Sequence, residues 1–407
     1  MAEVVIYVVR HHRDEKREAL PAAIAAHFDG DEPVRDGLGM RVPVRIRCKA
    51  WDGTPNGPPR PIAFDAADAN IVVVLQSQDL KEATAGPWRG FFQDLAAERN
   101  GHPERTRVLD VSPGGTALPG LEAVQQVRTG HWPGLPDDAA WRVRLLLHVV
   151  YAIAYQLKAR DALDRVGGGD IDRMVIERER LFLSHAKADG WEITSTIRDH
   201  LSKNTYGVGT FVDAFDLPGG TRFDSQFDAQ IALSALVVLR SDRHGTRPWC
   251  RWEVLRAKAH NRPVLVVDLI EHGEPRVFPY IGNVPAMRVQ LRRAAAGAPA
   301  SLGCDEIERI VLAMTTEVLR TLIWRRRAVT VVREASAAGH PDVAGKKVDY
   351  FLRAPELVDV AFLRQANVPG CTLVYPDPPL DDHERPLIEA VGTGFRFLAL
   401  SELESAR

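Results

Sequence analysis

The feature that most constrains this chain is a recurrence: short β-branched apolar runs, each followed by a helical segment. The runs are Val4 to Val9, Asn70 to Leu75, Val108 to Val111, Leu181 to Ser184, Ala235 to Leu239 and Val264 to Leu269. Runs this short and this apolar suit parallel strands buried on both faces, with helices crossing between them. The expected class is α/β. At 407 residues and roughly 150 residues per domain, two to three domains are expected.

The glycines of Arg165-Val166-Gly167-Gly168-Gly169-Asp170 follow a long helical stretch and precede a new strand, which marks a boundary. The two sides share a pattern. Asn70 to Ser77 is similar to Ala235 to Ser241, Pro87-Trp88 to Pro248-Trp249, Arg107 to Val111 to Pro263 to Asp268, and the helix Trp141 to Leu157 to the helix Ile307 to Ile323. Two related α/β units in tandem are expected at 1–164 and 175–328. A smaller α/β region at 329–407 has candidate strands at Val329 to Val332, Val348 to Leu352, Thr372 to Tyr375 and Phe395 to Leu400.

Composition narrows the partners. Lys plus Arg number 52 against 54 Asp plus Glu, so no excess charge drives binding to a phosphate backbone or an acidic membrane. The apolar stretch Val143 to Leu157 carries Arg144, His148 and Gln156 and falls short of a membrane span. Val4 to Val9 stops at Arg10-His11-His12-Arg13-Asp14, too short and wrongly flanked for a signal peptide. The cysteines Cys48, Cys250, Cys304 and Cys371 form no C-x-x-C pair, which points away from zinc clips and disulfide frameworks and toward a cytoplasmic setting. No metal-ligand cluster is expected among the 13 histidines, and His11-His12 reads as solvated.

Four features of the second unit fall in one order. The strand Leu181-Phe182-Leu183 ends in Ser184-His185 and then Asp189, and strand carboxyl ends are where open α/β sheets bind ligands. Ser184 could equally cap the following helix. Phe211-Val212-Asp213 leads into the loop Ala214-Phe215-Asp216-Leu217-Pro218-Gly219-Gly220, whose composition suits motion over a cleft or contact with a neighbour. Ser234 to Leu239 is a core strand ending in Arg240-Ser241-Asp242. Pro248 then opens a helix in which Cys250, Val254 and Ala257 form the stripe facing the sheet. Trp249 and Glu253, one turn apart, sit about 100° around from that stripe, near the cleft. Taken alone, Glu253 would read as a solvated helix carboxylate and Trp249 as packing.

Together, over residues 178 to 290, these segments resemble the Toll/interleukin-1 receptor (TIR) domain family, and in particular its bacterial NAD-cleaving branch. Phe182-Leu183-Ser184-His185 with Asp189 matches its first box, Phe211 to Gly219 its strand and mobile loop, and Trp249-Cys250-x-x-Glu253 its catalytic helix. The resemblance implies tandem flavodoxin-like parallel-sheet units. It implies an NAD+ glycohydrolase or cyclase that breaks the nicotinamide–ribose bond, with Glu253 catalytic. Ser184, His185, Asp213, Phe223 and Trp249 would bind substrate, and Phe215, Asp216, Leu217, Pro218 and Gly219 would serve the loop and assembly.

The residue types fit that chemistry. Nicotinamide leaves as a neutral molecule, so one carboxylate suffices where ordinary glycoside cleavage uses two. No Gly-x-Gly-x-x-Gly run follows a strand, so NAD+ is expected as substrate and no cofactor is expected. The resemblance further implies self-assembly through the TIR domain and a triggered, toxin-like or antiphage-defence effector switched on by an unknown partner or small-molecule signal.

In the first unit Trp88 matches Trp249, but Phe92 stands where the glutamate would be, and Arg10-His11-His12 replaces Ser184-His185. A degenerate TIR-like copy is expected, either sensing and docking or simply burying a face of its neighbour. Arg325-Arg326-Arg327 is expected to follow a helix ending at Trp324 and to complement its negative end. Two other functions fit the sequence: a non-enzymatic TIR–TIR signalling module, which has no need of Glu253, and a nucleoside ribosyltransferase, against which the Leu217-Pro218-Gly219 loop speaks.

Overall fold

A computed structural model describes the chain except for residues 1, 31–39, 51–52, 55, 133, 136–137, 167–170, 172–175, 204–207, 212–222, 294–299, 367 and 406–407. It divides into two compact units, Met1–Glu177 and Arg178–Arg407. In the first, β1 (Ala2–Val9), β2 (Val44–Arg47), β3 (Ala67–Leu75), β4 (Thr106–Ser112) and β5 (Gln126–Arg128) alternate with helices α1 (Ala19–Phe28), α2 (Gln78–Ala85) and α3 (Arg89–Gly101), and α4 (Ala139–Val166) follows. The strands form one parallel sheet in the order β2-β1-β3-β4-β5. Val4 to Val9 and Ala69 to Leu75 are buried throughout, which is why Val4 to Val9 and Ile71 to Leu75 are apolar runs with no alternation.

The second unit repeats this order. Its strands are β6 (Glu179–His185), β7 (Val208–Phe211), β8 (Ala235–Arg240), β9 (Val264–Asp268) and β10 (Ala286–Arg288), with helices α5 (Trp191–Lys203), α6 (Phe223–Leu233) and α7 (Pro248–Ala259). They pair in parallel as β7-β6-β8-β9-β10. In both sheets the first and third strands lie side by side and the chain leaves them toward opposite edges. That is the switch point at which α/β sheets of this order open a crevice at the strand carboxyl ends.

Helix α8 (Cys304–Ala337) then runs 34 residues into a small module. There β11 (Val348–Tyr350), β12 (Thr372–Tyr375) and β13 (Arg396–Ala399) form a three-stranded parallel sheet, accompanied by α9 (Leu357–Gln365), α10 (Glu384–Val391) and α11 (Leu400–Ser405). Two readings of the sequence are corrected here. Val329 to Val332 is not a strand but part of α8, because Trp324, Ala328, Val331, Val332 and Ala335 repeat at helical spacing and face the core formed with Val374 and Leu398. Burial of that stripe outweighs the β-propensity of the valines. For the same reason Arg325, Arg326 and Arg327 sit inside the helix and complement no helix end; Arg327 instead pairs with Glu404 at 2.6 Å.

The module grips the end of α7. Asn261, in the left-handed region at φ 50°, donates from its side chain to Tyr350 O at 2.7 Å and accepts from Leu352 N at 3.0 Å. Buried Lys258 reaches Glu356 at 2.5 Å.

Candidate active site

Three elements of the second unit converge at the carboxyl end of its sheet. β6 is an interior strand, paired with β7 on one side and β8 on the other, and its last five residues are buried. Ser184, opposite Val238 in that register, has no exposed surface. Helix α7 starts where Arg247 is extended and Pro248 takes the first helical position, where its missing N–H costs nothing. Cys250, Val254 and Ala257 are buried against the sheet as their spacing requires. The Cys250 thiol donates to His185 O at 3.4 Å, fixing the first turn of α7 to the tip of β6.

This docking brings Glu253 to Ser184. The carboxylate is 8% exposed, and the Ser184 hydroxyl donates to Glu253 Oε2 at 2.5 Å. Ser184 Oγ also lies 3.1 Å from His244 Nε2. The helix-cap role open to Ser184 is therefore not the one it takes. His244 sits in the turn after β8, a position whose significance the sequence analysis did not draw out; its one signal was proximity to Arg240-Ser241-Asp242 at a strand carboxyl end. Burial, then the nearby His185 and Arg240, push the His244 pKa down to about 4, so the ring is neutral near pH 7. Asp189 holds that turn, accepting from Ser241 Oγ at 2.8 Å and Arg243 N at 3.0 Å. Asp242 ties it to the segment after β9 by accepting from the backbone N–H of Glu271 and His272.

His185 is 8% exposed, its Nδ1 3.2 Å from Leu183 O and its ring 5.8 Å from that of Trp191. A carbonyl only accepts, so Nδ1 carries the proton and the ring is oriented by its own strand. Trp249 is 48% exposed, with its ring 6.1 Å from Phe227 and 5.3 Å from Trp252. It stands half-exposed at the flank of the site, while Glu253, one turn on, is enclosed. Cys250 is no nucleophile: burial, then the charge of Glu253, push its thiol up to about 12. Phe223 opens α6, and its side chain lies outside the described residues, as do Asp213 and the loop with Phe215, Asp216, Leu217, Pro218 and Gly219.

Residues 181–297 match the family model for the TIR domain. The second unit contains a TIR domain. The match covers β6 to β10 and the whole Ser184–Glu253–His244 cluster. No curated protein matches the chain. Among solved structures, a candidate phosphosugar isomerase from Silicibacter pomeroyi DSS-3 is 9% identical, over 80% of this chain and 87% of its own, at a TM-score of 0.19. A likeness that weak carries no argument.

The first unit differs at the matching places. Trp88 is fully buried and Phe92 is 1% exposed, both in the core that includes Val72, Val74 and Leu95. Arg10 ends β1 and donates to the carbonyls of His11 and Asp14, each at 3.1 Å. His11 is buried at 3% exposure, not solvated, because its ring packs 5.6 Å from Trp88, and burial lowers its pKa. On β4, Asp110 has no exposed surface and accepts from Gln76 at 2.7 Å and Gln126 at 3.0 Å. Among the described residues, no group of three or more His, Cys, Asp and Glu is placed to hold a metal ion, and no helix is long and apolar enough to cross a membrane.

Proposed function

We propose that the TIR domain cleaves NAD+ at the nicotinamide–ribose bond, acting as a glycohydrolase or cyclase within a triggered effector of bacterial antiphage defence. The observation that carries this reading is the place of Glu253: enclosed, hydrogen-bonded to Ser184 near the buried end of β6, and beside a half-exposed indole at a sheet switch point. An incidental helix carboxylate would point to water. A carboxylate held there meets the need of a reaction whose transition state gains positive charge on the ribose while a neutral base departs.

In this reading Glu253 stabilises the oxocarbenium-like ribose and orders its hydroxyls. Trp249 covers one face of the substrate and excludes water from it. Ser184 holds the carboxylate, and His185, Asp213 and Phe223 line the pocket, with Phe223 offering a ring for stacking. Water, an adenine nitrogen or an added base can each capture the ribosyl cation, so the same carboxylate serves hydrolysis, cyclisation and exchange. The loop Phe215 to Gly219 completes a neighbouring subunit's site on self-assembly. The first unit is a TIR-like relative without chemistry, since Phe92 cannot stabilise a cation through charge, and it receives the activating partner or signal.

The test is chromatography of NAD+ incubated with the concentrated full chain, with NAD+ levels followed in expressing cells. Wild type releases nicotinamide, and Glu253→Gln lowers the rate by on the order of 10²–10³, the usual loss on removing one preorganised electrostatic group. Equal release by both proteins would remove Glu253 from the chemistry.

A further inference from the structure

Ser184 carries a single hydroxyl hydrogen and has two polar neighbours, Glu253 Oε2 at 2.5 Å and His244 Nε2 at 3.1 Å. With a neutral imidazole, only two arrangements put a hydrogen in both contacts and leave the Ser184 hydroxyl hydrogen with an acceptor. In one, His244 Nε2–H donates to Ser184, and Ser184 donates to an ionised Glu253. In the other, a protonated Glu253 donates to Ser184, Ser184 donates to His244 Nε2, and the imidazole proton sits on Nδ1. The other ring nitrogen decides between them. His244 Nδ1 is buried without a hydrogen-bond partner among the described residues. A bare lone pair is tolerated in a buried site more readily than an N–H donor with no acceptor, which native structures rarely leave.

We propose that His244 is a positioning residue for Glu253: its enforced Nε2–H tautomer turns the Ser184 hydroxyl toward the carboxylate, fixing the rotamer and the ionised state of Glu253 together. The consequence for activity rests on the NAD+-cleaving reading; the proton arrangement does not. The surroundings keep the arrangement in place. The ring is 1% exposed and neutral near pH 7, as burial with His185 and Arg240 requires. The charged and titratable groups acting on it are His185 from the tip of β6 and Arg240 from β8, with Glu253 of α7 reached through Ser184; Arg240 is itself engaged by Glu274 at 3.1 Å. The next residue packs closely as well: a Cβ on Gly245 would come within 3.1 Å of Arg276 O, tighter than most such contacts.

The first measurement needs no substrate. With histidine labelled in ¹⁵N in the full chain, and the His244 signal identified by its loss in His244→Gln, the ring nitrogens report the tautomer directly. Nε2–H at pH 7 is expected; Nδ1–H overturns the proposal whatever the protein does to NAD+. The second is kinetic. His244→Phe keeps the ring volume and removes the donor, so kcat falls about tenfold with KM little changed, and the acid limb of the pH profile moves to higher pH as Glu253 loses its oriented donor. His244→Gln, whose side-chain amide reaches the same point, restores both. Ser184→Ala combined with His244→Phe is no slower than Ser184→Ala alone. Equal losses in Phe and Gln variants with an unmoved acid limb mean a packing role only and overturn the proposal. Absence of nicotinamide release by wild type, with the Nε2–H tautomer present, counts against NAD+ cleavage and leaves the positioning geometry standing.

Discussion

Lys258 supplies the sharpest test of how the C-terminal module holds the helix that carries Glu253. Its side chain is fully buried, and its ammonium donates to Glu356 Oε2 at 2.5 Å across the gap between α7 and α9, where the Glu356 side chain is 19% exposed. The two partners are therefore unequal. Removing the carboxylate strands a charge with no route to water, and breaking a buried pair in this way costs about 3–5 kcal/mol. Glu356→Gln keeps an acceptor oxygen, so the lower end, about 3 kcal/mol, is expected. Removing the ammonium leaves a carboxylate that still reaches solvent, and methionine refills the lysine channel, so Lys258→Met costs about 1 kcal/mol.

Hydrogen exchange read on peptides of α7 and α9 separates the pair from the helix cap. Glu356 also caps α9, its side chain accepting from the backbone N–H of Asp359, so loss of the cap alone speeds exchange in α9 only. Loss of the pair speeds α7 as well, by roughly 100-fold for 3 kcal/mol. Burial holds the Lys258 pKa below its ordinary value, and Glu356 partly offsets this. The unfolded chain thus keeps the proton more readily than the folded one, and this penalty, present at neutral pH, is relieved as pH rises toward about 10.5. Without Glu356 the pKa sinks further, so the deficit of Glu356→Gln shrinks as pH rises toward about 10.5. Equal costs for the two variants, or α7 exchange in Glu356→Gln within twofold of wild type, would refute the asymmetry.

The two matching tryptophans should respond in opposite ways. Trp88→Ala, from full burial, loses about 3–5 kcal/mol, while Trp249→Ala, at 48% exposure, loses under about 1 kcal/mol yet lowers nicotinamide release; thermal unfolding beside the NAD+ assay checks both. Asp110 gives a pH signature in the first unit. Burial raises its pKa against the hydrogen bonds of Gln126 and Gln76, so its contribution to stability is full below about pH 3.9 and is lost as pH rises through the higher folded value. Asp110→Asn should flatten that decline in urea unfolding followed from pH 4 to 7, and an unchanged slope would clear Asp110 of the role.

What the sequence made legible was what periodicity and spacing encode. Val4 to Val9, Asn70 to Leu75 and Ala235 to Leu239 could be read as core strands because a strand covered on both faces has no polar side to disguise it. The Cys250, Val254 and Ala257 stripe likewise announced how α7 would dock. Val329 to Val332 failed for the converse reason: a valine run fits a strand or a buried helix face, and only the partner surface, here Val374 and Leu398, decides. His11 reads as solvated and His244 draws no attention, because each lies in a turn whose path depends on distant contacts, with Trp88 for one and Asp189 for the other.

The identical strand order of the two sheets sharpens what the fold can and cannot supply. Both present a crevice at the same switch point and both set a tryptophan near the start of the following helix. In the first unit the tryptophan turns inward, Phe92 fills the core behind it, and the strand tip is closed by Arg10 binding its own backbone. In the second the indole is left half in solvent and the next turn delivers a carboxylate to a hydroxyl already oriented by an imidazole. A glutamate placed at 92 would enter an apolar core with no such hydroxyl and would be driven to take up a proton. Topology thus provides the crevice, but the charge in it depends on the three side chains that β6, the turn after β8 and α7 bring together, and those are what a proposal of chemistry must stand on.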